Sequence, residues 1–425
     1  METTQQNKKK IFNDPIYGFI SIPHELIYDL IEHPYFQRLR RINQLGLTHL
    51  VYPGALHTRF HHAMGAMHLM QRAIDVIRSK GHEITEEEAT GVTIAILLHD
   101  IGHGPFSHAL EYCIVQNVTH ETISALIMDR LNKEFNGQLT LGINIFKNKY
   151  HKKFLHQLVS SQLDMDRLDY LKRDSFYTGV SEGVISADRI ISMLNVKDDA
   201  LCVEAKGIYS IEKFIIARRL MYWQVYLHKT VLSAEQLLVH ILKRAKLLAH
   251  RNVELFATPT FHAFLYHDYD RNSFEQDPKV LDQFAALDDF DITASIKAWQ
   301  NHEDKILSTL CKSILNRHLY KIELSNEPIA KERVEQLKKE VQEKLGINAE
   351  ECDSLVFIGK IANNAYNPKN DKINLLFKDN SVKDIAEAAD QLNISMLSKS
   401  VTKYYLCYPK QSMVNNFDKI KPNQP

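Results

Sequence analysis

Glycine is scarce in this chain, at 15 of 425 residues, where average usage is roughly 7%. Together with long mixed charged and apolar patterns, that scarcity favours helices. The five cysteines, Cys113, Cys202, Cys311, Cys352 and Cys407, are scattered and none forms a CxxC pair. That argues against a zinc knuckle or a disulfide framework and points to a reducing cytoplasm. Net charge is absent: lysine plus arginine and aspartate plus glutamate each number 52, so no global field recruits nucleic acid or a membrane surface. No stretch approaches the roughly 18 uninterrupted apolar residues of a membrane span. Residues 1–10 are polar, end in three lysines and lack the apolar core of a signal peptide. No internal repeat or low-complexity tract stands out. A soluble cytoplasmic protein is expected.

What is abundant is histidine, and it is clustered. Nine of the 21 histidines lie between His57 and His120, where uniform scatter predicts about three. Clustered histidine suits metal binding or acid-base work. The centre of the cluster is Leu97-Leu98-His99-Asp100-Ile101-Gly102-His103-Gly104-Pro105-Phe106-Ser107-His108. The apolar run Ile94-Ala95-Ile96-Leu97-Leu98 delivers His99 and Asp100 side by side at the edge of a dry interior. Imidazole and carboxylate together suit a divalent metal without needing thiolate.

The remaining pattern is mostly helical. Residues 11–22 read as two short extended segments around an Asp14-Pro15 and Gly18 turn. Pro23 opens a short helix. A second is expected from Phe36 to about Leu45, with Arg38, Arg40 and Arg41 pointing different ways. A helix is expected from the His57–His62 stretch through Lys80. Thr85-Glu86-Glu87-Glu88 forms a capping box for the helix that ends at His99-Asp100. Pro105 suits the first turn of a following helix carrying His108 and Glu111, and Thr119 begins another. Residues 151–174 read as helix, with Asp166, Tyr170 and Asp174 at i, i+4 and i+8 on one side. A long helix from about Ser210 to His250 gives Arg218, Tyr222 and Tyr226 the same spacing. Strands are expected near 201–203, 353–359, 373–377 and 403–408, with a helix over 382–392. The charge-dense stretch 331–344 reads as a solvated helix. The expected fold is mainly α: a polar tail (1–10), a catalytic domain (11–265), a helical extension (266–345) and a small α+β lobe (346–425).

A four-ligand site needs donors from several helices, and His62, His99, Asp100 and an aspartate of 164–174 are the candidates. Histidine, then His-Asp, then a distant Asp is the pattern of the HD phosphohydrolase superfamily. Asn13-Asp14-Pro15-Ile16-Tyr17-Gly18, Phe36-Gln37-Arg38-Leu39-Arg40, Gln44-Leu45-Gly46, Arg59-Phe60-His61-His62, the 99–108 segment, Asp164-Met165-Asp166-Arg167-Leu168-Asp169-Tyr170 and Tyr226-Leu227-His228-Lys229 extend the likeness. From about residue 10 to 250 the chain resembles the HD-domain deoxynucleoside triphosphate triphosphohydrolases. These include the vertebrate SAM-and-HD-domain enzymes and bacterial dGTPase-like relatives; no SAM domain is read in this sequence.

The resemblance implies metal ligands His62, His99, Asp100 and Asp166. Two imidazoles and two carboxylates fit Mn, Fe, Ni, Co, Zn or Mg. It implies His108 as the acid near the scissile bond, tuned by Glu111 and His120, with His103 on phosphate. Glu111 stands where relatives usually carry aspartate. Arg59, Arg167 and Arg218 match triphosphate contacts, Arg167 replacing a lysine, and a planar fork binds phosphate differently from a point charge. Gln44, Tyr170, Asp174 and Tyr226 match groups around a deoxyribose. The implied reaction is attack of water on the α-phosphorus of a dNTP, releasing deoxynucleoside and inorganic triphosphate. The resemblance also implies a homo-oligomer, dimer or tetramer, activated by GTP or dNTP effectors, with Lys10, Glu32, Gln37, Arg40, Arg317 and Lys321 at effector positions. The rival readings are another HD activity, monophosphatase or phosphodiesterase, and a nucleic-acid-binding HD protein with vestigial catalysis.

Overall fold

The computed structural model describes residues 10–106, 113–115, 118–363, 365–367, 371–389 and 400–410. Strands β1 (Ile11–Asp14) and β2 (Gly18–Ser21) form an antiparallel hairpin. Asp14 accepts the main-chain N–H groups of Ile16 and Tyr17 at 2.8 and 3.0 Å, and Gly18 takes a φ of +74° to close the turn. Helix α1 (Glu25–Glu32) follows. The helix expected over 36–45 is replaced by a short turn, Pro34–Gln37, and a 3-10 turn, Arg38–Arg41. The chain then extends, and Asn43 bridges Thr58 in antiparallel fashion.

The centre is a helical stack. Helix α2 (Arg59–Ser79) packs against α3 (Glu86–Leu98) and, further along the chain, α5 (Met165–Thr178). Helix α3 begins with the expected capping box: Glu88 N–H donates to Thr85 Oγ1 at 3.1 Å, and Thr85 N–H to a Glu88 carboxylate oxygen at 2.9 Å. Helix α4 (His120–Glu134) is capped by Thr119, and α5 by Asp164, whose side chain accepts from Arg167 N–H. Two glycines allow the close approaches this stack needs. A Cβ at Gly65 would lie 2.0 Å from a carboxylate oxygen of Asp169, and one at Gly102 would lie 2.3 Å from the backbone of α4.

The single helix expected from 210 to 250 is broken. Helix α6 (Ile208–Met221) runs into a π-helical turn, Tyr222–Tyr226, and α7 (Lys229–His250) restarts after it. Leu227 N–H donates to Tyr222 C=O at 2.7 Å, the i to i+5 closure of a π turn. His228 recaps the chain by accepting Thr230 N–H. Beyond it, α8 (Asp289–Trp299) and α9 (Lys305–Leu315) pack together, and α9 packs along α7. Helix α10 (Lys331–Leu345) buries only Leu337 and Val341 among its residues, so its charged faces are solvated as expected.

The carboxy-terminal strands enter two sheets, one shared with earlier strands and one of their own. Strands β3 (Leu194–Lys197), β4 (Ala200–Glu204), β7 (Asn374–Leu376) and β8 (Val382–Asp384) make one sheet in that order. Strand β7 lies parallel to β4, with Cys202 opposite Asn374. Strands β5 (Lys321–Ser325), β6 (Phe357–Asn363) and β9 (Val401–Tyr408) make a second sheet, order β5-β9-β6. The helix expected over 382–392 starts as strand β8; a short helix, Ile385–Ala388, follows, and 390–392 lie outside the described residues. One apolar core runs continuously through Ile20, Leu97, Leu237, Trp299, Phe357 and Cys407, so the expected extension and tail share their interior with the catalytic segment. A second core gathers Leu69, Ile96, Leu168, Phe214, Tyr366 and Leu375. Burial of each such side chain contributes roughly 1.5–3 kcal/mol. The fold is mainly α. Among the described residues no helix is long and apolar enough to cross a membrane, and the five cysteines are free and buried.

Candidate metal centre and active site

Three helices deliver the central groups. His62 sits in the first turn of α2, His99 and Asp100 follow the last turn of α3, and Asp166 lies in the first turn of α5. His62, His99 and Asp166 present ligand atoms all within 4.8 Å of one another. His62 Nε2 is 3.1 Å from Asp166 Oδ1 and 3.9 Å from Asp100 Oδ2, and His99 Nε2 is 3.3 Å from Asp100 Oδ1. The structure thus brings together the four expected ligands.

Both imidazoles are oriented from behind. His62 Nδ1 lies 2.8 Å from Asp169 Oδ2, and His99 Nδ1 lies 2.6 Å from Ile96 C=O. A proton on each Nδ1 leaves each Nε2 lone pair aimed at the shared centre, where both atoms are buried and lack a well-formed hydrogen bond. Buried polar atoms are rarely left so. This is the pattern of metal-ligating histidines, whose outer partner sets the tautomer. The donor set therefore fits a divalent cation. Electrostatics agrees. Burial alone would raise the Asp100 carboxyl, but His99, His103 and Arg59 hold it well below the usual range. Asp166 is likewise lowered, against burial, by His62 and His99. Both are anionic donors.

Asp169 is fixed in turn. Arg173 Nε donates to its Oδ2 at 2.9 Å and a second guanidinium N–H to its Oδ1 at 3.0 Å, while the remaining edge of Arg173 donates to Asp14 at 2.8 Å. Burial raises the Asp169 carboxyl, but Arg173 and His62 bring it to about 2. The expectation set Asp166 apart from Asp164 and Asp169. In the structure Asp164 caps α5 and Asp169 backs His62. The spacing Asp166-x-x-Asp169-x-x-x-Arg173 carries a signal for this support; nothing local in sequence ties in Asp14.

Asp100 also faces a second group, His103 and His120. His103 Nε2 is 3.3 Å from Asp100 Oδ1, and the two imidazoles stack at 3.8 Å. Burial, then the Arg59 charge, lower His103 to about 3. His108 and Glu111 lie outside the described residues. The loop entering them is clamped by groups the sequence did not assign. Arg38, 1% exposed, donates to Ile101 C=O at 2.8 Å, His103 C=O at 3.0 Å and Leu287 C=O at 3.0 Å. Asp289 accepts Phe106 N–H at 2.9 Å and Asn43 N–H at 2.8 Å. Arg40 instead lies 3.6 Å over the Phe60 ring, and Arg41 pairs with Asp288 at 2.5 Å. The three arginines do point different ways.

Beside the metal corner is a cleft of about 310 Å³ whose walls include Gln44, Arg59, Phe106, Tyr222, Tyr226 and Gln236. Arg59 joins it to the metal corner by donating to Asp100 Oδ2 at 2.5 Å. Tyr226 donates its hydroxyl to Asp174 at 2.7 Å, and burial, then Asp174, raise its pKa well above the usual range, keeping it a neutral donor. His57 Nε2 meets the other oxygen of Asp174 at 2.8 Å and stacks on Tyr177 at 4.5 Å; sequence reasoning gave His57 no role. Tyr170 meets Tyr226 edge to face at 6.2 Å. The buried Gln44 Oε1 has no partner among the described residues. Arg167 donates to Ser161 C=O at 2.6 Å and to Asp164 at 3.2 Å. Arg218 donates to Gln162 Oε1 at 3.1 Å and stands 6.0 Å from the Tyr222 ring.

The six effector positions do not share one cluster. Arg40 Nε donates to Gln37 Oε1 at 2.8 Å, and Glu32 acts on the Arg40 charge. Lys10 Nζ sits 2.8 Å over the Tyr28 ring. Arg317 donates to Leu50 C=O at 2.6 Å, while Lys321, in β5, faces Glu323 and Tyr408.

Comparison with known proteins places this geometry. Residues 59–174, which contain all four metal-facing groups, match the HD domain family, and residues 185–256 match the HD associated region. The Bacillus subtilis protein YwfO is 36% identical over 321 residues, 74% of this chain and 72% of that protein. The Dictyostelium discoideum deoxynucleoside triphosphate triphosphohydrolase SAMHD1 homolog is 35% identical over 55% of this chain, which spans 48% of that relative. A solved phosphohydrolase from Bacteroides thetaiotaomicron superposes with a TM-score of 0.92 at 56% identity, covering 95% of this chain and 100% of that one. The chain belongs to the HD-domain phosphohydrolase family that includes the deoxynucleoside triphosphate triphosphohydrolases.

Proposed function

We propose that the protein is a metal-dependent dNTP triphosphohydrolase, converting a dNTP to deoxynucleoside and inorganic triphosphate. The observation that carries the reading is the juncture at Arg59, where four metal-facing groups meet a cleft walled by Gln44, Tyr222 and Tyr226. The deoxynucleoside triphosphate triphosphohydrolase name of the Dictyostelium relative supports the choice of substrate. His62, His99, Asp100 and Asp166 would hold the cation. When bound, a divalent metal polarises a phosphoryl oxygen and lowers the pKa of water toward about 7.

The chain's own residues supply the rest. Arg59, Arg167 and Arg218 neutralise the charge of the triphosphate whose α-phosphorus is attacked. His103, neutral at its lowered pKa, approaches phosphate as a hydrogen-bonding group, and His108 protonates the departing 5′ oxygen with Glu111 and His120 as tuning partners. Asp174, Tyr226 and Gln44 hold the sugar hydroxyl, and the Tyr170 ring packs where a ribose 2′ hydroxyl would enter. The same reading gives Glu32, Gln37 and Arg40, with Lys10, Arg317 and Lys321, an effector role in a homo-oligomer. Added GTP or dNTP then raises both turnover and particle mass in light scattering; no change in either removes that role.

Product chromatography with each dNTP in ¹⁸O-water tests the activity. Attack at the α-phosphorus places the label in triphosphate. Orthophosphate or pyrophosphate as first product contradicts it and favours another HD phosphohydrolase chemistry.

A further inference from the structure

The two arginines at the outer end of the site are held differently. Arg167 is tied to a carboxylate, Asp164, at 3.2 Å, and to Ser161 C=O. Arg218 is 8% exposed, and among the described residues no carboxylate lies within ion-pair distance of it. Its guanidinium donates to a neutral amide oxygen, Gln162 Oε1, and its buried Nε has no partner among the described residues. A guanidinium offers five N–H donors in a fixed fork. A neutral acceptor fixes the plane of that fork while leaving its charge uncompensated.

Gln162 is itself held from far along the chain. Its amide N–H₂ donates to Asn367 C=O at 3.2 Å, which turns Oε1 toward Arg218, and its main-chain N–H donates to Asp371 at 3.2 Å. Those partners are anchored. Tyr366 is fully buried, donates its hydroxyl to Asp384 and accepts Ile373 N–H at 3.1 Å. Directly after it, β7 pairs with β4. Asn367 and Asp371 lie outside both matched family regions, 59–174 and 185–256.

We propose that Gln162 is a positioning residue for Arg218, locked by the carboxy-terminal Asn367 and Asp371, so that this distant segment sets how the site grips a polyphosphate. The inference rests on the functional reading above for the identity of the substrate. A glutamine serves where a glutamate would not, because a carboxylate at 162 would pair with Arg218 and repel phosphate.

The test is a pair of substitutions, Gln162→Ala and Gln162→Glu, in the full chain with wild type alongside. For Gln162→Ala, KM for dNTP rises about tenfold, the scale of one charge-assisted hydrogen bond, with kcat within about twofold. Inhibition by inorganic tripolyphosphate weakens in parallel, while inhibition by the deoxynucleoside product stays at the wild-type value. Gln162→Glu weakens tripolyphosphate more than Gln162→Ala does, although it retains an acceptor for Arg218. Three results overturn the proposal: unchanged KM and tripolyphosphate inhibition in Gln162→Ala, equal weakening of both inhibitors, or a glutamate variant indistinguishable from alanine. If a variant fails to fold, Gln162→Met, which keeps the length of the side chain and removes the acceptor, must weaken tripolyphosphate inhibition in the same direction, and no shift overturns the proposal. A wild-type protein that turns over no dNTP ends the functional reading instead. Calorimetry with tripolyphosphate then decides the Arg218 question alone, about tenfold weaker binding in Gln162→Ala supporting it and equal binding overturning it.

Discussion

The metal-facing corner of this site and the corner around Arg218 are built by different means. At the metal corner both histidines are backed from within the helical stack: Asp169 stands behind His62, with Arg173 behind Asp169, and Ile96 C=O stands behind His99. Of the bracing groups named there, only Asp14 comes from outside residues 59–178. At the other corner Arg218 donates to Gln162 Oε1, and Gln162 donates to Asn367 C=O, 205 positions later in the chain. The first corner is braced mostly by the helices that carry its ligands; the second is closed by a segment far along the chain, and so feels any shift in that segment.

That contrast can be broken at its strongest point first. Asp166→Ala is expected to abolish metal retention and lower turnover by more than about a thousandfold, since the ligand and its charge go together. Metal analysis and steady-state kinetics check it. A smaller effect is expected one step behind the ligand. Asp169→Asn weakens the hold on the His62 tautomer and should cost about 10- to 100-fold in metal affinity, read by competition with a chelator. If Asp169→Asn leaves metal affinity unchanged, the metal corner is not organised from behind.

The sugar side should respond more gently, in KM. Gln44→Ala removes one neutral acceptor with no partner in the described structure. A hydrogen bond of about 0.5–1.5 kcal/mol corresponds to a few-fold to about tenfold rise in KM with metal content unchanged. Loss of metal in that variant would show that the two corners are one unit.

A residue without an assigned role in the site supplies a control in stability. His240 stacks on Phe357 at 3.8 Å. Burial, then Lys243, lower its pKa from 6.5 to about 4. The unfolded chain therefore binds the proton more readily than the folded one between those values. Stability falls as pH drops from about 6.5 to about 4, and rises again toward neutrality. His240→Gln should flatten that acid limb in pH-dependent thermal melts without moving KM. An acid limb as steep as that of wild type removes this assignment.

The same contrast explains what could be read from sequence. His62, His99, Asp100 and Asp166 are recognisable because their order and spacing repeat a motif, and Thr85 with Glu88 because a capping box is local. The break at Tyr222–Tyr226 was hidden, since an unbroken 3.6-residue pattern does not announce a π turn. Arg38, Arg40 and Arg41 read as pointing different ways; only the packed fold shows Arg38 donating to the carbonyls of Ile101 and His103. His57, Asp289 and Gln162 act through partners 117, 183 and 205 positions away, respectively Asp174, Phe106 and Asn367. No periodicity encodes such pairings. Likewise β7 read correctly as a strand, but its parallel partner β4 could not be read from either segment.

The most direct test of the central claim is elemental analysis of the purified wild type and Asp166→Ala, run beside dNTP turnover with product chromatography. The account predicts about one divalent metal per wild-type chain, as a single four-ligand centre requires, with triphosphate released, and both lost together in the variant. Full turnover by Asp166→Ala, or by wild type stripped of metal, would contradict it.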